Sequence, residues 1–352
     1  MTECTQESFD FPACKRRRVE ARFDGGDITS DGGVLLLQQA DRRLGLSPAV
    51  AKVLDDPRRR ASCTHDLASL IRQRLYGLAL GYEDLNDHQA LRQDLALQTA
   101  VERDTVLASA STLCRWENRA DRAAAGRLHE VLVEQFIASF RRAPKRLILD
   151  VDATDDAVHG QQEHRFFHGY YDHYASCRCM SSAASNCWSA ICARAQSTAP
   201  SMPGLSWRCW SGAIVKAEHT TQGSKPRYLV TNLKAEAQYL YDRLYCARGE
   251  MENRIKEQQL DLFADRTSCH AWWPNQFRLL LSSLAYTLLE AIRRLALDRT
   301  ELANAYVGTI RLKLLKIGAV ITRNTRRIRF LLSSTYPYQR LFAHVVARLR
   351  PT

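Results

Sequence analysis

A chain of 352 residues, 45% of them hydrophobic, is long enough for two or three domains with a sizeable core. Fifty Lys and Arg against 38 Asp and Glu leave a formal charge of +12. That balance, carried mostly by arginine, excludes an acidic surface and points to a phosphate-bearing partner, nucleic acid first, with an evenly solvated basic surface as the alternative. No apolar run approaches the roughly 20 residues that cross a bilayer, and Met1-Thr2-Glu3-Cys4 does not begin a secretory leader, so a cytoplasmic protein without a membrane partner is expected. The eleven cysteines then read as thiols or metal ligands rather than disulfides.

Residues 1 to 33 hold Lys15-Arg16-Arg17-Arg18, then Asp24-Gly25-Gly26-Asp27 and Asp31-Gly32-Gly33, a loop with short strands. The basic run is either an arm on DNA phosphate or a solvated terminal charge run. Helical spacing dominates from Val34 to Arg142 and predicts helices over Val34–Leu44, His65–Leu80, Glu83–Leu95 and Arg122–Phe140, the last with Leu128, Val131, Leu132 and Phe136 on one face. An all-helical N-terminal domain over residues 1–143, DNA-binding by its charge, is expected. Within it, Ser109 to Thr112 supply capping residues, and Arg115 and Arg119 lie four apart on one face. This is a DNA-reading helix, or equally a structural one with Leu113 and Trp116 in the core.

Arg146 to Asp156 is an apolar strand running into carboxylates: Leu147, Leu149 and Val151 alternate with Ile148, Asp150 and Asp152, and Asp155 and Asp156 follow. Carboxylates at the mouth of a buried strand need a cation or partner to offset desolvation, and hard oxygen ligands suit Mg²⁺ or Mn²⁺. An acidic turn capping the next element is the alternative. The His- and aromatic-rich stretch His159 to Tyr174 reads as a second strand, forming a hairpin with the first. Residues 176–212 keep neither periodicity, yet hold Cys177, Cys179, Cys187, Cys192 and Cys209 with Trp188, Trp207 and Trp210. Those spacings fit a zinc module poorly. In a GC-rich gene, leucine codons CTG read one base late give TGC and TGG, which are Cys and Trp, so this window reads as frameshifted and disordered. Strands are predicted again at Ala213–His219 and Arg227–Leu233, and a helix from Lys234 puts Tyr245, Arg248 and Glu252 at i, i+3 and i+7, with Lys256 one turn on. Surface ion pairs would explain the same pattern.

Together, Asp152-x-Thr154 at the strand and Tyr245-x2-Arg248-x3-Glu252 on the helix resemble the bacterial insertion-sequence transposases of the DDE class. The surrounding text, Leu149 to Asp156, His168 to Asp172 and Arg248 to Glu257, is similar to the group numbered thirteen-eighty. The resemblance covers roughly residues 20–175 and 213–345. It implies an α/β, RNase H-like mixed sheet flanked by helices, with two aspartates and a glutamate holding two divalent metals, Mg²⁺ or Mn²⁺, for DNA strand cleavage and transfer. Asp152 would be the first catalytic and metal ligand and Glu252 the last, with Arg248 and Tyr245 as supporting residues. The partner would be the terminal inverted repeats of the element, bound by a homodimer in a synaptic complex.

The family's second aspartate lies on a later strand between these motifs, and no such element is present between Tyr174 and Tyr245; Asp172 and Asp242 are poor substitutes. The expected catalytic domain, residues 144–300, is therefore truncated around 176–212, and the chain reads as an inactive transposase. The alternative is a non-catalytic DNA-binding remnant that represses intact copies. Downstream, Trp272-Trp273-Pro274 breaks the chain, Phe277–Leu297 is an amphipathic helix, and Ile310–Leu315 is helical. Residues 301–352 end in a basic hairpin, Ala319 to Phe330, whose Arg323, Arg326, Arg327 and Arg329 lie on DNA backbone or solvate an exposed edge.

Overall fold

The computed structural model describes residues 8–59, 61, 63–142, 149–158, 160–168, 173–183, 186–192, 213–220, 223–230, 234–245, 249–265 and 268–350. The first strands are β1 (Phe9–Cys14), β2 (Arg17–Ala21) and β3 (Asp27–Thr29). Seven helices follow: α1 (Val34–Leu44), α2 (Leu46–Val53), α3 (Leu67–Leu80), α4 (His88–Leu91), α5 (Leu95–Val101), α6 (Ala110–Glu117) and α7 (Arg122–Ala138). Their ends are set by local chemistry. The side chains of Asp66, Asp94, Ser109 and Asp121 accept from the backbone N–H three residues on, and cap α3, α5, α6 and α7; each such cap is worth about 1 kcal/mol. Gly45 and Gly81, in the left-handed region, close α1 and α3.

Two stretches differ from the predicted helices. Glu83–Leu95 is not one helix: Asp84 accepts from Asn86 N–H to form a 3₁₀ turn over Leu85–Asp87, and Asp94 starts α5 afresh. Aspartates that bond the local backbone divide a run that periodicity alone reads as continuous. Helix α2 adds to the predicted set, with Pro48 near its start; in a first turn the missing N–H costs nothing.

The middle of the chain supplies β4 (Leu149–Ala157), β5 (Phe166–His168), β6 (His173–Ala183) and β7 (Asn186–Cys192). Strand β6 is central, with β4 on one side and β5 and β7 on the other, and β7 packs against α7 and α10 (Trp272–Ala296). A separate hairpin joins β8 (Ala213–Thr220) to β9 (Gly223–Val230). Among the described strands every pairing is antiparallel, so the mixed sheet implied by the resemblance is not seen there. The partner of β4 begins at His173, while Phe166–His168 pairs β6 rather than β4. The disorder expected of 176–212 is corrected for residues 176–183 and 186–192, which lie in β6 and β7; residues 193–212 lie outside the described residues.

Helix α8 (Ala237–Tyr239), a π-helical stretch Leu240–Tyr245, α9 (Gly249–Lys256) and a second π-helical stretch Glu257–Asp261 lead to α10. Pro274 does not break the chain; it sits in the first turn of α10, where proline is tolerated. After α11 (Val307–Ile310) and a π-helical stretch Arg311–Leu315 come the hairpin strands β10 (Ala319–Arg323) and β11 (Ile328–Leu332), then α12 (Gln339–Leu349).

The core runs through both ends of the chain. Leu36, Ile71, Leu128, Leu284, Leu289 and Val345 belong to one buried apolar cluster, and β3 pairs with β10. Boundaries at 143 and 301 thus cut through shared packing, and the N-terminal helices are not a self-contained unit. Asp31-Gly32-Gly33 is the weld. Gly32 and Gly33 N–H donate to Ile317 and Leu315 carbonyls at 2.8 and 3.1 Å, and a Cβ on Gly33 would stand 1.9 Å from the Leu314 carbonyl oxygen. Only glycine permits that approach.

Candidate functional site

The acidic strand extends further than its apolar pattern predicts. β4 continues through Asp155 and Asp156 to Ala157, so Asp152 lies in mid-strand rather than at its mouth, opposite Met180 of β6. Asp150 faces Ser182 in the register and Asp156 faces Ser176. The only described partner of β4 is β6, and no described strand pairs its other edge. Glu252 lies in α9, which packs against β7, two strands away from β4. At about 4.8 Å per strand spacing, β7 and β4 stand roughly 10 Å apart across the sheet. Tyr245 ends a π-helical stretch, so a uniform 3.6-residue period does not relate it to Glu252. Arg248 lies outside the described residues.

The carboxylates that the structure shows engaged beside this helix are others. Glu257 is buried and held on every side: Arg293 and Arg254 guanidiniums lie 2.8 and 3.0 Å from its two oxygens, Tyr286 Oη donates at 2.9 Å, and Val307 N–H donates at 2.9 Å. Burial, with Glu257 and Glu290 nearby, pushes the Tyr286 hydroxyl well above its ordinary value. Glu117 plays the same part at the end of α6, with Arg74 of α3 at 2.7 Å and Arg278 of α10 at 2.6 Å. Sequence reasoning missed both residues. The signal for Glu257 is its i, i+3 spacing from Arg254; for Glu117 the partners lie far apart in sequence and leave no local trace.

The predicted DNA-facing arginines are described well. Leu113 and Glu117 point inward and Trp116 packs on the core, while Arg115 and Arg119 are exposed on the opposite side of α6 and its end. The helix is therefore structural, with Leu113 and Trp116 in the packing, and its arginine-bearing face is exposed. Arg323, Arg326, Arg327 and Arg329 are also exposed. Asn324 Oδ1 accepts from Arg326 and Arg327 N–H at 3.0 and 2.9 Å, fixing the hairpin turn. The tip lines a hollow of about 550 Å³ with Asp104, whose carbonyl accepts from Arg323 Nη1 at 3.3 Å. Among the described residues no carboxylate lies within ion-pair distance of Arg326, Arg327 or Arg329. Next to Asp104, Arg103 donates to the Thr64 carbonyl at 2.8 Å. Burial first, then the guanidiniums of Arg103, Arg92 and Arg58, holds the His65 imidazole below its ordinary value.

The chain matches a family described as transposase DDE domain, group 1, over residues 11–177 and 181–352. It belongs to that family. No curated protein and no solved structure matches it. Membership carries DNA as the partner class and a divalent metal as the usual cofactor of the chemistry. Among the described residues no group of three His, Cys, Asp or Glu could hold a metal ion, and the side chains of Asp152 and Glu252 are not among those described. The described strand beside β4, β6, carries no Asp or Glu to bring to Asp152, no described strand pairs the other edge of β4, and Glu257 is consumed by its arginines. The described residues thus do not complete a two-metal set. No helix among the described residues is long and apolar enough to cross a membrane.

Proposed function

We propose that this chain is an insertion-sequence transposase of the DDE class that has kept its DNA-binding body and lost strand cleavage. One observation carries the reading: the family match breaks between residues 177 and 181, inside β6, the strand that pairs with the Asp152 strand. We take that break as the trace of a removed internal segment. It supports loss of the strand that would bring the second aspartate beside Asp152, and none of the described strands pairs the outer edge of β4. Two-metal transfer needs both ions clamped on the attacking and leaving oxygens, and two carboxylates do not hold such a pair. In an RNase H-like member of this family, Asp152 and Glu252 would be the remaining ligands for Mg²⁺ or Mn²⁺, with Tyr245 and Arg248 in support. The exposed arginines on α6 and at the β10–β11 tip supply the phosphate contacts. A chain that binds the terminal inverted repeats without cutting them would occupy sites that intact copies need, alone or as a homodimer in their synaptic complex, and so repress them.

The test is incubation of the purified chain with duplex carrying its element's terminal repeats, with and without Mg²⁺. Binding should be steeply salt-dependent and indifferent to metal, and no nicked product should form. Mg²⁺-dependent nicking that disappears in Asp152→Asn would overturn the loss of catalysis, and failure to bind any duplex would overturn the DNA-binding reading.

A further inference from the structure

Every residue from Ser8 to Ile28 is exposed, yet β1 and β2 form a regular antiparallel hairpin, Phe9 opposite Ala21 and Phe11 opposite Val19. A two-stranded hairpin whose every residue is exposed is marginal by itself and has a use for a partner. Its charges are sorted. Arg18 is held by Asp10 and Glu20, and Arg22 by Glu20, along the ribbon. Lys15, Arg16 and Arg17, at and beside the turn, have no carboxylate within ion-pair distance among the described residues.

The register of the β3–β10 pair gives the direction in which this ribbon leaves. Thr29 lies opposite Ala319, Ile28 opposite Val320 and Asp27 opposite Ile321, so the start of β3 stands at the end of β10 that runs on into the Asn324–Arg327 turn. The chain that precedes β3 therefore departs from the same end of the β11-β10-β3 sheet as the C-terminal basic tip. Gly25 and Gly26, the latter with φ +76°, connect it to the sheet. Two hairpins with free cations at their turns, one from each end of the chain, thus leave one sheet end.

We propose that the β1–β2 hairpin is a second DNA-binding element, a ribbon that enters the major groove of a duplex while the β10–β11 tip lies on its backbone. This rests on the DNA-binding reading above and adds to it a site and a mode. A two-stranded ribbon fits the major groove, which is about 12 Å wide, and a six-residue strand reaches about 20 Å, far enough to follow it. The unpaired cations at the turn meet phosphate, and Phe9, Phe11 and Val19, on the ribbon face opposite Asp10, Arg18 and Glu20, offer an apolar surface to base edges and thymine methyl groups.

The experiment compares the whole chain with two variants by fluorescence anisotropy over a salt series, on a mixed-sequence duplex and on one of its single strands. One variant is Lys15→Asn with Arg16→Ala and Arg17→Ala, asparagine being chosen because residue 15 has φ +57°. The other is Arg326→Ala with Arg327→Ala. Removing one cation that sits on a phosphate lowers the slope of log affinity against log salt by about 0.9 on duplex. The N-terminal variant should lower it by about 2 to 3 and the C-terminal one by about 2, both with an unchanged unfolding midpoint. A wild-type slope that the C-terminal variant lowers and the N-terminal one does not overturns this proposal and leaves the broader reading standing. No binding by the wild type overturns both. An equal effect on the single strand overturns the groove assignment. If Phe11→Ser turns a dimer into a monomer while the basic variant binds duplex as the wild type does, the hairpin is a self-association surface and the proposal falls.

Discussion

Helices α1, α3, α6, α7 and α10 are tied together by groups far apart in sequence, whereas among the described residues strands β4 to β9 pair only with strands close to them in sequence. Arg278 reaches Glu117, Arg293 reaches Glu257, and Gly32 and Gly33 reach the backbone at 315–317. In the sheet, β4, β5 and β7 all pair with β6, and β8 with β9. Such hairpins close at small entropic cost, and the sheet joins the body where β7 packs on α7 and α10. A segment can be removed among such strands without breaking the ion pairs and the Gly32–Gly33 contacts that tie the body together. The break in the family match falls in β6 and not in the body.

If that contrast is right, the largest stability effects lie in the body, far from the acidic motifs. Glu257→Gln should cost about 3–5 kcal/mol, because it leaves Arg254 and Arg293 with a buried neutral partner; Glu117→Gln, which strands Arg74 and Arg278, should match it. Urea unfolding measures both, and a loss below about 1 kcal/mol would show that these ion locks are not what joins the body. Gly33→Ala should cost about 3 kcal/mol through the clash with the Leu314 carbonyl oxygen. Its readout is the thermal midpoint, and an unchanged midpoint would mean the 311–317 segment gives way freely.

A smaller effect depends on pH. Burial, then the charge of Arg74, lowers His88 from 6.5 to about 3, and Gln73 Nε2 lies 3.2 Å from its Nδ1. Between those values the unfolded chain takes up a proton that the folded chain refuses. Stability present above pH 6.5 is therefore lost as pH falls toward 3, at up to about 1.4 kcal/mol per pH unit. Between pH 7 and pH 5 this group should account for about 2 kcal/mol, a loss that His88→Asn removes. An identical pH slope in the variant would assign the effect to other groups.

What is legible in the sequence follows the same division. Val34–Leu44 is readable because an amphipathic period and a following glycine are local signals, and the hairpins at 213–230 and 319–332 are readable from strand runs around a turn. Asp84 and Asp94 defeat the reading of Glu83–Leu95 because a capping aspartate and a solvated helical one look alike in sequence. The weld at Asp31-Gly32-Gly33 and the locks at Glu117 and Glu257 are not legible, since their meaning lies in partners brought up by tertiary folding. For the site, the motifs around Asp152 and Glu252 are visible as text, and that text leads to the right family. Strand length is not: the alternation of leucine and aspartate stops at Asp152, but backbone pairing with β6 continues to Ala157.

The smallest predicted effect is the sharpest test of the sheet. A protein with an assembled two-metal site is stabilised by its ion by RT ln(1 + [L]/Kd), about 2.7 kcal/mol at one hundred times the dissociation constant. Where two carboxylates remain without a third, binding is weak and that stabilisation vanishes at millimolar Mg²⁺. The thermal midpoint should therefore be the same in Mg²⁺ and in chelator, and Asp152→Asn should change stability by less than about 0.5 kcal/mol in either. The contrast with Glu257 is then direct, because one glutamate in the body would outweigh the whole acidic strand. A midpoint that rises with Mg²⁺ in the wild type and not in Asp152→Asn would mean that a further ligand completes the set, and the strand would have to be read as a working metal site.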